Sequence, residues 1–285
     1  MPETYSSNET KIYYVDEATY GATPTNPAML SVPAESVEPA LNPNNIKLRG
    51  VGSPDLQAIR KGMREPSLKI VYPLPSDAPI NFLQYAKVEL AKSLSMQLFY
   101  FKGAFASATD IISLLYSGCK FQKTTVECSI DDVVKATVDI LSQDAAVGTA
   151  KITGATYSDY TGAVPFYESY IKKGASTLER VTDWKFNIEN NLKQVPVIRA
   201  SNGNIIKYLP NKQRNLTGEV VFEFESKEEF DDIINYSEFT LEFGLGGSCK
   251  AVFGGCKWDS ASSPTKIEDL VDLKAEFVAK TLTIS

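Results

Sequence analysis

Apolar and polar residues alternate with a period of two along much of this 285-residue chain. Trp184, Phe186 and Ile188 alternate with Lys185, Asn187 and Glu189. Val220, Phe222 and Phe224 alternate with Glu219, Glu223 and Glu225. Phe239, Leu241, Phe243 and Leu245 repeat the pattern, as do Leu273, Ala275, Phe277 and Ala279. Such a period means antiparallel strands with one face in a core and one in water. One interruption reads as helical. Ser226-Lys227-Glu228-Glu229 has the form of a capping box, and Phe230, Ile233 and Ile234 follow at helical spacing. A first-half counterpart starts near Ser76 and carries Ile80, Leu83 and Ala86. The expected fold class is mainly β (α+β), built from β-sandwich or split-barrel units with one short helix each.

The chain also resembles itself. Tyr116-Ser117-Gly118-Cys119-Lys120-Phe121 lies on Phe253-Gly254-Gly255-Cys256-Lys257-Trp258 at an offset of 137. The match runs on without a gap to Ile130-Asp131-Asp132-Val133-Val134 on Ile267-Glu268-Asp269-Leu270-Val271. Upstream, Arg64 falls on Arg214, Ile70-Val71-Tyr72 on Val220-Val221-Phe222, and Ser76 on Ser226, at an offset of 150. Leu94-Ser95-Met96 matches Phe239-Thr240-Leu241 at 145. The falling offset places two deletions between the periodic segments, in presumed loops. The expected organisation is an internal duplication: copy one over 46–145 and copy two over 181–285. Residues 1–45 carry Pro24, Pro27, Pro33, Pro39 and Pro43 and read as an extended arm; residues 146–180 read as a glycine-rich connector.

Composition narrows the function. Apolar residues make up 43% and charged residues 22%, so a globular core is expected. The formal charge is −6, which argues against a clamp for nucleic acid. There is no histidine, which removes Ser-His-Asp and Cys-His catalysis and the histidine-based zinc sites. No enzyme activity, metal or cofactor is expected. Cys119, Cys128, Cys249 and Cys256 form no CxxC pair and read as small buried apolar residues in a reducing compartment. The first ten residues lack the pattern of a secretory leader, and the longest apolar stretch, near Ile111–Tyr116, is too short to span a bilayer. A soluble protein made in the cytoplasm is expected.

Several motifs have plain readings. Gly244-Leu245-Gly246-Gly247 lacks phosphate-loop spacing and reads as a hairpin turn. Ser117–Lys120 and Ser263–Lys266 match SxxK, but the first lies inside the repeated block. Asp131 and Asp132, as neighbours on a strand, would point to opposite faces and could not work as a glycosidase pair. Acidic residues crowd between Glu219 and Glu242, just after a basic stretch from Lys185 to Arg214. They are either solvated faces or patches that meet between subunits.

Three stretches carry a family resemblance: the duplicated Gly-Cys-Lys block, the segment Tyr20–Pro27, and Val181–Leu192 followed by Thr217–Phe224. Together they resemble the tail tube (major tail) proteins of long-tailed bacterial and archaeal viruses, from about residue 15 to the end. The resemblance implies a structural protein of the virion tail that stacks as rings into a hollow tube through which DNA passes. Its strands would join a continuous inner β-barrel, whose closure removes free sheet edges. With a duplicated chain, a ring of three copies would form a pseudo-hexamer, the alternative being a true hexamer of whole chains. The resemblance also implies tail terminator, tape measure and distal tail proteins as partners, with transient passage of DNA and no membrane. The alternation makes Glu219, Glu223 and Glu225 candidates for the lumen face, although their first-copy counterparts are Lys69, Pro73 and Pro75. The apolar loop from Leu192 to Lys212, with Val195, Val197, Ile198, Arg199, Ile205, Ile206 and Lys207, is the candidate inter-ring contact. Its first-copy counterpart is Ile46 to Lys61. The alternatives are another ring-forming tail or secretion-type tube component, or a carbohydrate-binding or decoration β-sandwich.

Overall fold

A computed structural model describes residues 4–87, 92–199, 202–263 and 271–285. The first half contributes β1 (Thr10–Asp16), β2 (Ala28–Val32), β3 (Ser36–Asn42), β4 (Ile46–Arg49) and β5 (Leu56–Arg60). It continues with β6 (Glu65–Pro73), β7 (Leu94–Phe101), β8 (Ile111–Ser129), β9 (Lys135–Leu141) and β10 (Asp144–Gly148). Then come β11 (Thr156–Ser158), β12 (Ile171–Lys173), β13 (Ser176–Thr177), β14 (Val181–Glu189) and β15 (Asn215–Glu223). After helix α1 (Glu228–Ile234) follow β16 (Phe239–Gly244), β17 (Lys250–Ser262), β18 (Asp272–Val278) and β19 (Thr281–Ile284). The fold is mainly β and sandwich-like, as the alternation predicts.

One sheet runs through both halves. Its eight antiparallel strands lie in the order β3-β6-β9-β8-β14-β15-β18-β17. Two smaller sheets also form. The first contains β2, β1, β7, the start of β8 and β10, with β11 parallel to β2. The second contains β13, β12, β16, the start of β17 and β19. A single apolar core joins the large sheet to both, from Ile70, Tyr72, Phe82 and Phe121 to Phe186, Phe222, Phe243, Phe253 and Phe277. A smaller aromatic cluster of Tyr13, Phe99 and Phe101, with Phe105 and Tyr157 beside it, lies apart from that core.

The connectivity occurs twice. In the first half β6 pairs with β3 and β9, and β8 with β7, β9 and β10. In the second, β15 pairs with β14 and β18, and β17 with β16, β18 and β19. The irregularities recur as well. Register slips between Leu94 and Met96 and between Phe121 and Lys123; it slips again between Phe239 and Leu241 and between Trp258 and Ser260. The repeated Gly-Cys-Lys block occupies the point where β8 and β17 leave a small sheet for the large one. Gly118 (φ 65°) and Gly255 (φ 63°) adopt a left-handed backbone there, which glycine adopts without steric cost. The first-half match Ile130–Val133 is a turn, and its partners Ile267–Leu270 lie outside the described residues.

Three expectations need correction. Residues 1–45 are not an extended arm, because β1, β2 and β3 belong to the sheets and Tyr13 and Tyr14 are buried. The prolines sit where strands tolerate them: Pro33 and Pro43 just past strand ends, and Pro39 in the edge strand β3. Residues 146–180 are likewise more than a connector, since β11 and β12 enter the two small sheets and Val164 and Ile171 are buried. Finally, the capping box does not form. The N-cap is Lys227, Ser226 Oγ accepts from the Glu228 N–H only at 3.4 Å, and the buried Glu229 turns to Arg180 at 2.5 Å. The first-half counterpart is a 3₁₀ turn, Leu83–Ala86.

Candidate functional site

The large sheet turns one face to the core and leaves the other wet. Directly opposite residues on neighbouring strands share a face, so the ladder fixes which charges meet. One row across the wet face reads Glu38, Lys69, Asp139, Lys123, Glu189. A second reads Lys135, Glu127, Lys185, Glu219. Sign alternates along both rows as far as Glu219, which on its other side faces a like charge, Glu276 of β18. Lys123 meets Glu189 at 2.9 Å and Lys185 meets Glu219 at 3.1 Å. Between them lies a neutral row of Thr137, Thr125, Asn187 and Thr217.

The three carboxylates predicted for this face are not equivalent. Glu219 sits mid-sheet with a mostly buried side chain, and Lys274 Nζ approaches it at 2.8 Å. Burial alone would raise its pKa, but hydrogen bonds from Lys274 and Lys185 outweigh that and hold it below the ordinary carboxylate value. Lys274 is raised in turn, chiefly by the hydrogen bond it donates to Glu219. Glu223 ends β15, and Glu225 lies beyond it; both line a hollow with Lys173, Arg180, Glu228 and Phe239. The expected acidic face is therefore interspersed with lysines: Glu219 is held by Lys185 and Lys274, while Glu276 lies opposite it.

The two loops expected to project differ sharply. β4 and β5 form a separate two-stranded hairpin. Ile46, Leu48, Val51, Leu56 and Ile59 are all exposed on it, amid Lys47, Arg49, Arg60 and Lys61. Two-stranded ribbons are marginal alone, and five exposed large apolar residues on one imply a partner. The second-half loop folds back instead. Val195 N–H donates to the Tyr208 carbonyl at 3.2 Å, and Lys207 N–H to the Val195 carbonyl at 3.0 Å. Arg199 closes the tip by donating to the carbonyls of Asn202 and Ile205. Gln143 and Lys120, from the first half, donate to the carbonyls of Lys207 and Leu209. Ile206 is fully buried and cannot serve a neighbour; Ile198 is fully exposed, and Val195, Val197 and Ile205 are half-buried.

The other motifs resolve into structure. Gly244–Gly247 lies in the β16–β17 hairpin turn, where Leu245 N–H donates to the Cys249 carbonyl. Asp131 and Asp132 occupy the β8–β9 turn rather than a strand. The Asp132 carboxylate accepts from Val133 N–H at 2.8 Å and meets Lys135 at 3.2 Å, which lowers its pKa, the opposite of a general acid's need. Lys120 points to Leu209, and most of Ser263–Lys266 lies outside the described residues. The four cysteines are free thiols; burial pushes Cys128 and Cys256 up to about 11. Among the described residues no helix is long and apolar enough to cross a membrane.

A sequence profile of the phage tail tube protein family matches residues 7–279. The chain belongs to that family. As a tail tube family member it is a structural component of a viral tail. Among solved structures it is similar to a chain of the anti-feeding prophage baseplate, at 13% identity and a TM-score of 0.36, over 53% of this chain and 99% of that one. No curated protein matches it.

Proposed function

We propose that this tail tube protein is an internal duplication whose three copies close into a ring, and that rings stack into a conduit for DNA. The repeated pairing pattern supports copies over about 10–148 and 171–285, four strands of the large sheet coming from each. The observation that carries the reading is the eight-stranded sheet with a polar, largely charge-paired face and two edges that are unpaired among the described residues. Three chains of eight strands make a 24-stranded barrel. At about 4.8 Å between strands and a tilt of about 40°, its wall is about 48 Å across, wide enough for a duplex. Six chains would double that width.

The charge rows suit a conduit. A lysine that met a phosphate alone would hold it, because phosphate contacts supply most non-specific affinity. Lys69, Lys123 and Lys185 each stand between carboxylates in their rows, so DNA meets little net attraction anywhere on the wall. Glu219, Glu223 and Glu225 keep the lumen role, Glu219 as the carboxylate that neutralises Lys185 and Lys274. The hairpin Ile46–Arg60 and the exposed Ile198, with tail terminator, tape measure and distal tail proteins at the tube ends, complete the contacts. Microscopy of the purified protein is the test: stacked rings with three repeats end-on are expected. Six whole chains per ring would refute the stoichiometry. Rings that never stack would favour another ring component of a tail or secretion machine.

A further inference from the structure

β3 and β17 are the open edges of the large sheet, and each has a counterpart that is paired inside the same chain. β8 corresponds to β17 at an offset of 137, because both pair with their neighbours in the same register through the same slips. β14 corresponds to β3 at an offset of 147, fixed by Glu38 opposite Lys69 and Lys185 opposite Glu219. Within the chain, the end of β8 pairs antiparallel with β14, Lys123 opposite Glu189 and Thr125 opposite Asn187. The end of β17 pairs with β18 on one side, and β3 pairs with β6 on one side; among the described residues each lacks its second neighbour.

We infer that the end of β17 pairs antiparallel with β3 of a second copy of this chain, in the register that β8 and β14 use. The inference rests on the ring reading above and adds which strands meet and how. The offsets place Ser260 opposite Asn42, Ala261 opposite Leu41, Ser262 opposite Ala40 and Ser263 opposite Pro39. On the wet face the contact is Ser260 and Ser262 against Asn42 and Ala40, small and uncharged, so no like charges meet. The core side explains an otherwise odd difference. Trp184, Phe186 and Ile188 on β14 are buried, whereas at the matching places on β3 Val37 and Pro39 are half-buried and Leu41 is 48% exposed. β14 is covered because β8 lies beside it, and β3 awaits the equivalent strand. Pro39 has no N–H, so at most one ladder bond is lost, and the proline discourages pairing with unrelated edges. Such a contact joins two different surfaces head to tail, which closes a ring when the rotation fits.

Two double variants test the register: Ala40→Cys with Ser262→Cys, and Leu41→Cys with Ala261→Cys. After oxidation, a non-reducing gel is expected to show a ladder of linked chains ending at a closed trimer for at least one pair. The shifted pair Glu38→Cys with Ser262→Cys, a diagonal about 7–8 Å apart, is expected to stay largely unlinked. The parent chain sets the background from half-buried Cys249. Rings seen by microscopy without either in-register link, or linked best by the shifted pair, overturn this contact and leave the ring reading intact. A parent chain that stays monomeric overturns both. Hydrogen exchange on the unmodified chain covers variants that misfold. Amides of residues 40–42 and 260–263 are expected to gain at least tenfold protection on assembly, and unchanged exchange there refutes the contact.

Discussion

The hairpin β4–β5 and the loop between β14 and β15 hold the same place in the repeated pairing pattern, and the molecule treats them in opposite ways. The hairpin stands free with Ile46, Leu48 and Ile59 in water, while the loop buries Ile206 and Leu209 against its own chain. A shared scaffold thus fixes where a loop leaves the sheet but not what it does afterwards. Solvent decides that, through the apolar area each loop leaves uncovered.

The largest effect comes from removing the hairpin. Replacing residues 47–59 by a short Gly-Ser turn is expected to leave the monomer's melting temperature nearly unchanged and to abolish stacking, as read by microscopy and sedimentation. A collapse of stability instead would mean the hairpin is packed like its counterpart. Next, Ile206→Ala is expected to cost about 2–5 kcal/mol in urea denaturation of the unassembled chain, against about 0.5 kcal/mol or less for Ile59→Ala. Equal costs would erase the distinction.

Smaller effects probe the shared scaffold. Gly118→Ala and Gly255→Ala both force a side chain into a left-handed backbone, at about 1–3 kcal/mol each in thermal unfolding. Gly118→Ala is expected to cost more, because its new Cβ would lie 2.6 Å from the Gln143 Cβ, whereas at Gly255 it would meet the flexible end of Lys280. The smallest effect concerns the wet face. Glu219 has a depressed pKa in the fold, so its ion pairs stabilise above the unfolded carboxylate value and are lost as pH falls through the folded one. Lys274→Met is expected to cost about 1 kcal/mol or less at neutral pH, and the gap from the parent chain closes on acidification in urea titrations.

Most strands were readable in the sequence because each half-buried strand prints its alternation locally. The matching Gly-Cys-Lys blocks were readable too, because the glycine that lets β8 and β17 change sheets tolerates few substitutes. What failed was information held between distant positions. The pairing of Glu219 depends on Lys185 and Lys274 reaching it from the neighbouring strands, and no local pattern reports a cross-strand neighbour. The amino-terminal prolines looked like an arm because composition does not distinguish a strand end from a coil. Whether Ile206 is stowed or offered has no local signal either.

The strand β8 runs for 19 residues and belongs to two sheets in turn. Peptide bonds, as well as packed side chains, therefore tie the large sheet to the small one behind it. A slip of one residue in the large sheet would drag the small sheet out of step, so errors of alignment are punished twice.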